Sequence, residues 1–227
     1  MKRALIISGG SIDYDFALDF LIEENYITEE YRKAKACCWI AADRGLEFCR
    51  RAGLIPDIVV GDFDSMPKAC ALFLEEQPDL RVIRLVPEKD DSDTQSALNH
   101  AILEGAEEVL ILGATGSRLD HVFANLELLV YGKTRNVRVS IVDKYNRISL
   151  AENRMTITDQ SRFGKYLSFF PMGGDVTGLT LTGFKYPLYN HTLRTIDTGL
   201  TVSNELLEET AVVEFSAGVL LMIESRD

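Results

Sequence analysis

The sequence predicts an α/β fold. We expect an N-terminal, mostly parallel sheet with helices on both faces, joined to a C-terminal antiparallel β-sandwich. Three observations lead there. The apolar runs ALII, CCWIAA, DIVV and EVLIL show no polar alternation, which is the pattern of strands buried on both faces. Segments with helical spacing separate these runs, as a parallel sheet with crossover helices requires. From about residue 165 the composition turns to threonine, glycine, valine and aromatics with frequent turns, the pattern of antiparallel strands. The expected domains are therefore 1–148, the α/β unit, and 149–227, a sandwich, with the boundary near 146–153.

Each element has its own reason. RALIISGG is an apolar run closed by Gly9 and Gly10, and the helical pattern DYDFALDFLIEEN follows it. CCWIAAD ends on Asp43, and RGLEFCRRAG is a short helix stopped by Gly53. DIVVGD precedes PKACALFLEEQ, where Pro67 suits a first helical position. RVIRLV is followed by SDTQSALNHAILEG, in which Ser92 and Gln95 fit a capping box and Ala97, Leu98, Ala101 and Ile102 recur at helical spacing. EVLILG leads to DHVFANLELLVYG, expected to turn Val122, Phe123, Leu126, Leu129 and Val130 inward and to stop at Gly132. VRVSIVD closes the first half.

Composition excludes several function classes. The chain has 227 residues, 46% of them hydrophobic, which suffices for a sizeable core. A formal net charge of −11 argues against non-specific nucleic-acid or anionic-membrane binding. No run reaches transmembrane length, and MKRALIISGG reads as a strand rather than a signal peptide. Cys37, Cys38, Cys49 and Cys70 form no CxxC pair, so reduced thiols in a cytoplasm are expected. His100, His121 and His191 are too dispersed for a histidine-rich metal centre.

The chemistry gathers at the strand ends. In a parallel sheet the C-terminal ends of the strands share one edge, where ligands bind. There the sequence places Gly9-Gly10-Ser11, then Asp43-Arg44-Gly45, then Asp62-Phe63-Asp64-Ser65. After the later strands come Glu88-Lys89-Asp90-Asp91-Ser92-Asp93 and Gly113-Ala114-Thr115-Gly116-Ser117-Arg118-Leu119-Asp120-His121. Taken singly, Asp43, Ser92, Asp93 and Asp120 are ordinary helix caps or first-turn acids. Gly9-Gly10 alone is a turn, and GATGS lacks the lysine of a P-loop. His121 and Asn125 alone are a polar helix face. Their joint alignment is what points to a site. Carboxylates without thiol or imidazole partners suit Mg²⁺. Glycine turns and helix starts suit phosphates, whose charge Arg44, Lys89 and Arg118 offset. If 62–64 is extended, Asp62 and Asp64 point to one side and Phe63 to the other.

ADRG, VVGDFDS, EKDDSDTQSAL and LGATGSRLDHVFANLELL, in this order, resemble the bacterial type of thiamine pyrophosphokinase. VTGLTLTGFKYPL and GLTVSNE resemble that family's C-terminal domain, so the likeness spans nearly the whole chain. The resemblance implies transfer of pyrophosphate from ATP to thiamine with release of AMP, a need for Mg²⁺, and a homodimer whose sites are shared between subunits. It implies that Asp43, Asp62, Asp64 and Asp93 form the acidic cluster for metal and substrate. It implies that Arg118 joins them in catalysis, and that Arg118 and Asp120 are the nucleotide and metal partners in the R-L-D-H segment. Nucleotide contacts are expected from Gly9, Gly10, Ser11, Asp43, Arg44, Gly45, Thr115, Gly116 and Arg118. Substrate contacts are expected from Lys89, Asp93, Asp120, His121, Asn125, Ser203 and Asn204. Some family members carry a tryptophan near the C-terminus; GVLLMIES has none, and Phe184 and Tyr186 are the aromatic alternatives. A magnesium- or manganese-dependent phosphohydrolase remains the rival enzyme, and a nucleotide-binding regulator the non-catalytic one.

Overall fold

The computed structural model describes residues 2–28, 36–63, 66–85, 91–197 and 199–227. Asp64, Ser65 and Lys89 lie outside the described residues. The chain divides into two compact units, Met1–Lys144 and Tyr145–Asp227.

In the first unit, strands β1 (Arg3–Ile7), β2 (Cys37–Ala42), β3 (Ile58–Gly61), β4 (Arg81–Arg84), β5 (Glu108–Leu112) and β6 (Arg138–Val142) run in the order β4-β3-β2-β1-β5-β6. All of these neighbours pair in parallel. Ile40, Ile6 and Ile111 stand side by side in register, each fully buried. That rung explains the unbroken apolar runs: both faces of each central strand are covered. The order reverses between β1 and β5, so the edge above those strands is the topological switch point.

Helices α1 (Tyr14–Glu23), α2 (Gly45–Arg51), α3 (Lys68–Glu75), α4 (Asp93–Leu103) and α5 (Leu119–Thr134) connect these strands. Asp13 caps α1 by accepting the amide of Phe16 at 3.1 Å. Ser92 caps α4 by accepting the amide of Gln95 at 3.1 Å. Only half of the expected box forms, because the Gln95 side chain turns instead to Asp91, at 2.7 Å. Gly53, at φ 66°, ends α2 as expected, and the following Leu54 amide reaches back to the Cys49 carbonyl. Pro67 lies one residue before α3, at its N-cap.

Two expectations for α5 fail. Phe123 is 62% exposed, and Asn125 turns inward with Leu128 and Leu129. The apolar stripe is rotated because a buried side chain at this helix start has a polar task, described below. Gly132 does not stop the helix. A Cβ there would lie 2.4 Å from the Val139 side chain, so this glycine lets α5 press onto β6. Gly45 does the same for α2 on β1, since a Cβ would sit 1.9 Å from the Ile7 carbonyl oxygen. Backbone cannot yield as a side chain does. Gly45→Ala is expected to cost about 1–3 kcal/mol by overpacking, read as a lower denaturant midpoint at unchanged slope.

The second unit is a sandwich of two antiparallel sheets. Strands β7 (Asn146–Leu150), β13 (Leu220–Ser225) and β9 (Tyr166–Pro171) are adjacent in one. Strands β11 (Leu188–Leu193), β10 (Val176–Thr182), β12 (Thr210–Glu214) and β8 (Arg154–Thr158) form the other. Their inner faces share one apolar core, in which Phe169, Leu167 and Leu220 belong to one cluster with Leu179, Leu181 and Val213. Phe184 meets Phe169 edge to face at 5.8 Å. One charge is buried here. Glu224 is 1% exposed; it accepts from Arg147 at 2.5 and 2.8 Å and from the Phe163 amide at 3.0 Å. Among the described residues no helix is long and apolar enough to cross a membrane.

Candidate active site

At the switch point the turn after β1 lies against the turn after β5. The Gly10 amide donates to the Gly113 carbonyl at 2.8 Å, and the Ser11 amide to the Thr115 carbonyl at 2.9 Å. A Cβ on Gly10 would come within 2.4 Å of the Gly113 oxygen, so only glycine permits this pairing. Gly113 itself has φ 70°. The paired turns form the floor of a cleft of about 860 Å³.

Most residues singled out in the sequence line this cleft. Gly9, Gly10 and Ser11 come from the β1 turn, Asp43 and Arg44 from the β2 end, and Asp93 from the start of α4. Thr115, Gly116, Arg118, Asp120, His121 and Asn125 come from the β5 turn and α5. Gly45 lies beneath it, packed on Ile7. Asp62 is not among the lining residues, although its charge reaches Asp43. Sequence reasoning missed Ser8 and Thr94, both of which line the cleft. The available signal was position alone, since each immediately adjoins a residue already singled out.

The acids interact. Burial pushes the Asp43 carboxyl above its usual range; the Arg44 amide opposes that rise, and the charges of Asp93 and Asp62 add to it. Asp43 is also held at φ 48°, its amide on the Val60 carbonyl and its own carbonyl accepting from Leu46. Phe63 has φ 62°, so the backbone is not extended at Phe63; the expected alternation runs on to Asp64, which lies outside the described residues. The chain turns at Phe63, and a left-handed residue breaks the period of two. Among the described residues, no three His, Cys, Asp or Glu side chains gather closely enough to hold a metal ion unaided. The donor chemistry nonetheless fits Mg²⁺: mutually repelling carboxylates, with hard oxygen donors only.

Arg118 faces Asp120 with its fork, Nη2 to Oδ2 at 2.6 Å and Nε to Oδ1 at 3.3 Å. That hydrogen bond lowers the Asp120 carboxyl below its usual range. Both side chains are well exposed, so the pair adds little stability. Its effect is to hold a guanidinium beside the glycine turns. Asn125 is buried and donates its amide to the Ala114 carbonyl at 2.8 Å, which explains its inward position. It pins the β5 turn to α5.

Ser203 and Asn204 belong to the second unit. Ser203 is exposed at φ 54°, with its amide on Ser168 Oγ at 2.9 Å. Asn204 is 1% exposed. Its Oδ1 accepts the amides of Tyr186 and Glu205, each at 3.0 Å, and its Nδ2 donates to the Tyr186 carbonyl at 2.8 Å. Phe184 is sealed in the core, whereas Tyr186 is 54% exposed. Glu205 next door accepts from Lys185 at 3.0 Å and pairs with Lys165 at 3.2 Å. Those bonds, Lys185 first, hold its carboxyl below the usual range. Its share of stability is present above the unfolded glutamate pKa and disappears as pH falls through the lower folded value. Lys185→Met is expected to return the Glu205 titration, followed by carboxyl NMR, toward that of a free glutamate.

Comparison with known proteins agrees with this architecture. Residues 30–141 match the model of the thiamin pyrophosphokinase catalytic domain. Residues 152–220 match that of the thiamin pyrophosphokinase vitamin B1 binding domain. The chain is similar to the thiamine pyrophosphokinase of Bacillus subtilis (strain 168), 36% identical over 190 residues, 83% of this chain and 87% of that protein. The crystal structure of thiamine pyrophosphokinase from Bacillus subtilis superposes with a TM-score of 0.85 at 33% identity, covering 100% of both chains. That of thiamin pyrophosphokinase from Geobacillus thermodenitrificans gives a TM-score of 0.79 at 34% identity, covering 100% of this chain and 98% of the other. The chain belongs to the thiamin pyrophosphokinase family.

Proposed function

We propose that the cleft transfers the pyrophosphoryl group of ATP to thiamine, as family membership implies. The hydroxyethyl oxygen of thiamine attacks the β-phosphorus in line. The bond from that phosphorus to the oxygen bridging to the α-phosphate breaks, and AMP leaves with that oxygen. The alcohol proton passes to a carboxylate, Asp62 or Asp93, or to solvent. The observation that carries this reading is the meeting of paired glycine turns, the Arg118 fork and the Asp43 and Asp93 carboxylates in one cleft at the switch point. Phosphoryl transfer of this kind depends on positioning and charge stabilisation more than on a strong base.

The chain's own groups divide the work. The amides of the glycine turns that do not pair the two turns with each other, and those at the start of α5, cradle phosphate oxygens. Arg118, already held by Asp120, is placed to stabilise charge that develops on them. Asp43, Asp62 and Asp93, together with Asp64, would hold Mg²⁺, which when bound neutralises phosphate charge. Thiamine is assigned to the second unit around Ser203, with Asn204 fixing the backbone of Tyr186 beside it. A homodimer sharing its sites between subunits, working in the cytoplasm, completes the reading.

The test is a product assay with purified protein, ATP, Mg²⁺ and thiamine. Coupled appearance of AMP and thiamine diphosphate, abolished by a chelator, is the expected result. Phosphate or AMP released without thiamine would make the protein a phosphohydrolase instead.

A further inference from the structure

We propose that Ser8 and Thr94 form a further phosphate-binding element of this cleft, which rests on the reading of the cleft given above. Ser8 is the residue at the end of β1 just before Gly9, and Thr94 lies in the first turn of α4 beside Asp93. Their hydroxyl oxygens are 2.6 Å apart. Each residue is only 6% exposed, and both line the cleft.

Two hydroxyls carry two donors, and their mutual bond uses one. Neither hydroxyl makes another hydrogen bond among the described residues. One O–H is therefore left without an acceptor among the described residues, on the cleft wall between the glycine turn and the acid at the start of α4. An unused buried donor is unfavourable. The nearby carboxylates do not take it: no hydrogen bond joins Asp43 or Asp93 to either hydroxyl. The acceptor it lacks arrives with the ligand. A phosphate oxygen resting on the Gly9 amide is an anionic acceptor, and a hydroxyl already polarised by its neighbour is a strengthened donor toward it. The element is neutral, so it adds a donor to the acidic cleft without adding a charge. It also joins β1 to α4, setting the distance between the cradle and Asp93.

The experiment compares Ser8→Ala, Thr94→Val, the double variant S8A/T94V, and Thr94→Ser. Calorimetric titration of each with magnesium–ATP, inorganic tripolyphosphate and adenosine is the readout. Removing a hydrogen bond to a charged group predicts that Ser8→Ala weakens ATP and tripolyphosphate alike, by about tenfold or more, while adenosine is unchanged. Thr94→Ser, which keeps the hydroxyl, binds as the wild type does. The double variant loses about as much as the worse single one, because the two hydroxyls act as a unit. It also melts near the wild type, since both partners of the buried bond are gone. Should the double variant fail to fold, Ser8→Ala decides alone, since it removes one oxygen and adds nothing. Wild-type affinity for tripolyphosphate in Ser8→Ala would overturn the proposal. A wild-type protein that binds tripolyphosphate in this Ser8-dependent way yet makes no thiamine diphosphate would sink the reaction assigned above and leave this element standing.

Discussion

Asp93→Asn is expected to lower thiamine diphosphate formation on the order of a hundredfold or more while leaving the fold intact. The size follows from the role proposed for this carboxylate, organising charge at a reacting phosphate. The intact fold follows from the local geometry. Asparagine tolerates the first helical position, and Ser92, not Asp93, supplies the cap of α4. The charge of Asp93 also raises the Asp43 carboxyl, so its removal relieves repulsion within the site. The variant should therefore melt at or slightly above the wild-type temperature. Asp62→Asn should behave in the same direction, for Asp62 acts on Asp43 as well. The decisive measurement is turnover paired with calorimetry on one preparation. Full activity in Asp93→Asn would remove this residue from the mechanism, and lost activity with a collapsed melting curve would make its role structural.

The second large effect lies in the sandwich, in the ion pair of Arg147 and Glu224. Arg147→Met leaves the Glu224 carboxylate, whose side chain is only 2% exposed, with the Phe163 amide as its remaining donor among the bonds described. Breaking a buried pair from one side costs about 3–5 kcal/mol, because an uncompensated charge stays in a dry place. Arg147 is itself 31% exposed, so water relieves part of that cost and the lower end of the range is expected. The same guanidinium also donates to the Ser161 carbonyl at 2.7 Å, and that bond goes too. Replacing both members, as in R147M/E224M, should recover most of the loss, since two apolar side chains of similar length leave no charge behind. Denaturant melts of the single and double variants measure this directly. A double variant no more stable than the single one would show that the pair matters through Ser161 and Phe163 rather than through its charges.

The parallel sheet was legible because burial on both faces writes itself as uninterrupted apolar runs, and Ile6, Ile40 and Ile111 stand where those runs put them. The cleft was legible for a related reason: strand ends share an edge, so residues far apart in sequence could be placed together before any distance was known. What escaped was set by tertiary contact. Periodicity put Phe123 inside and Asn125 outside α5, but the Ala114 carbonyl needs a donor and draws Asn125 inward. Gly132 read as a helix stop because a glycine that stops a helix and one that admits a neighbouring strand look alike in sequence. Ser8 and Thr94 carried no pattern at all, because a hydroxyl pair depends on two elements meeting.

The turn at Phe63 bears on how this protein could be made more robust. An aromatic side chain at φ 62° costs about 1–2 kcal/mol relative to the right-handed region, and this one sits directly after Asp62. Glycine at 63 would relieve that strain at the expense of a more disordered unfolded chain, so the net gain in heat resistance is small. An engineer seeking a thermostable form should therefore look elsewhere, since at this position the relieved strain and the added freedom of the unfolded chain nearly cancel.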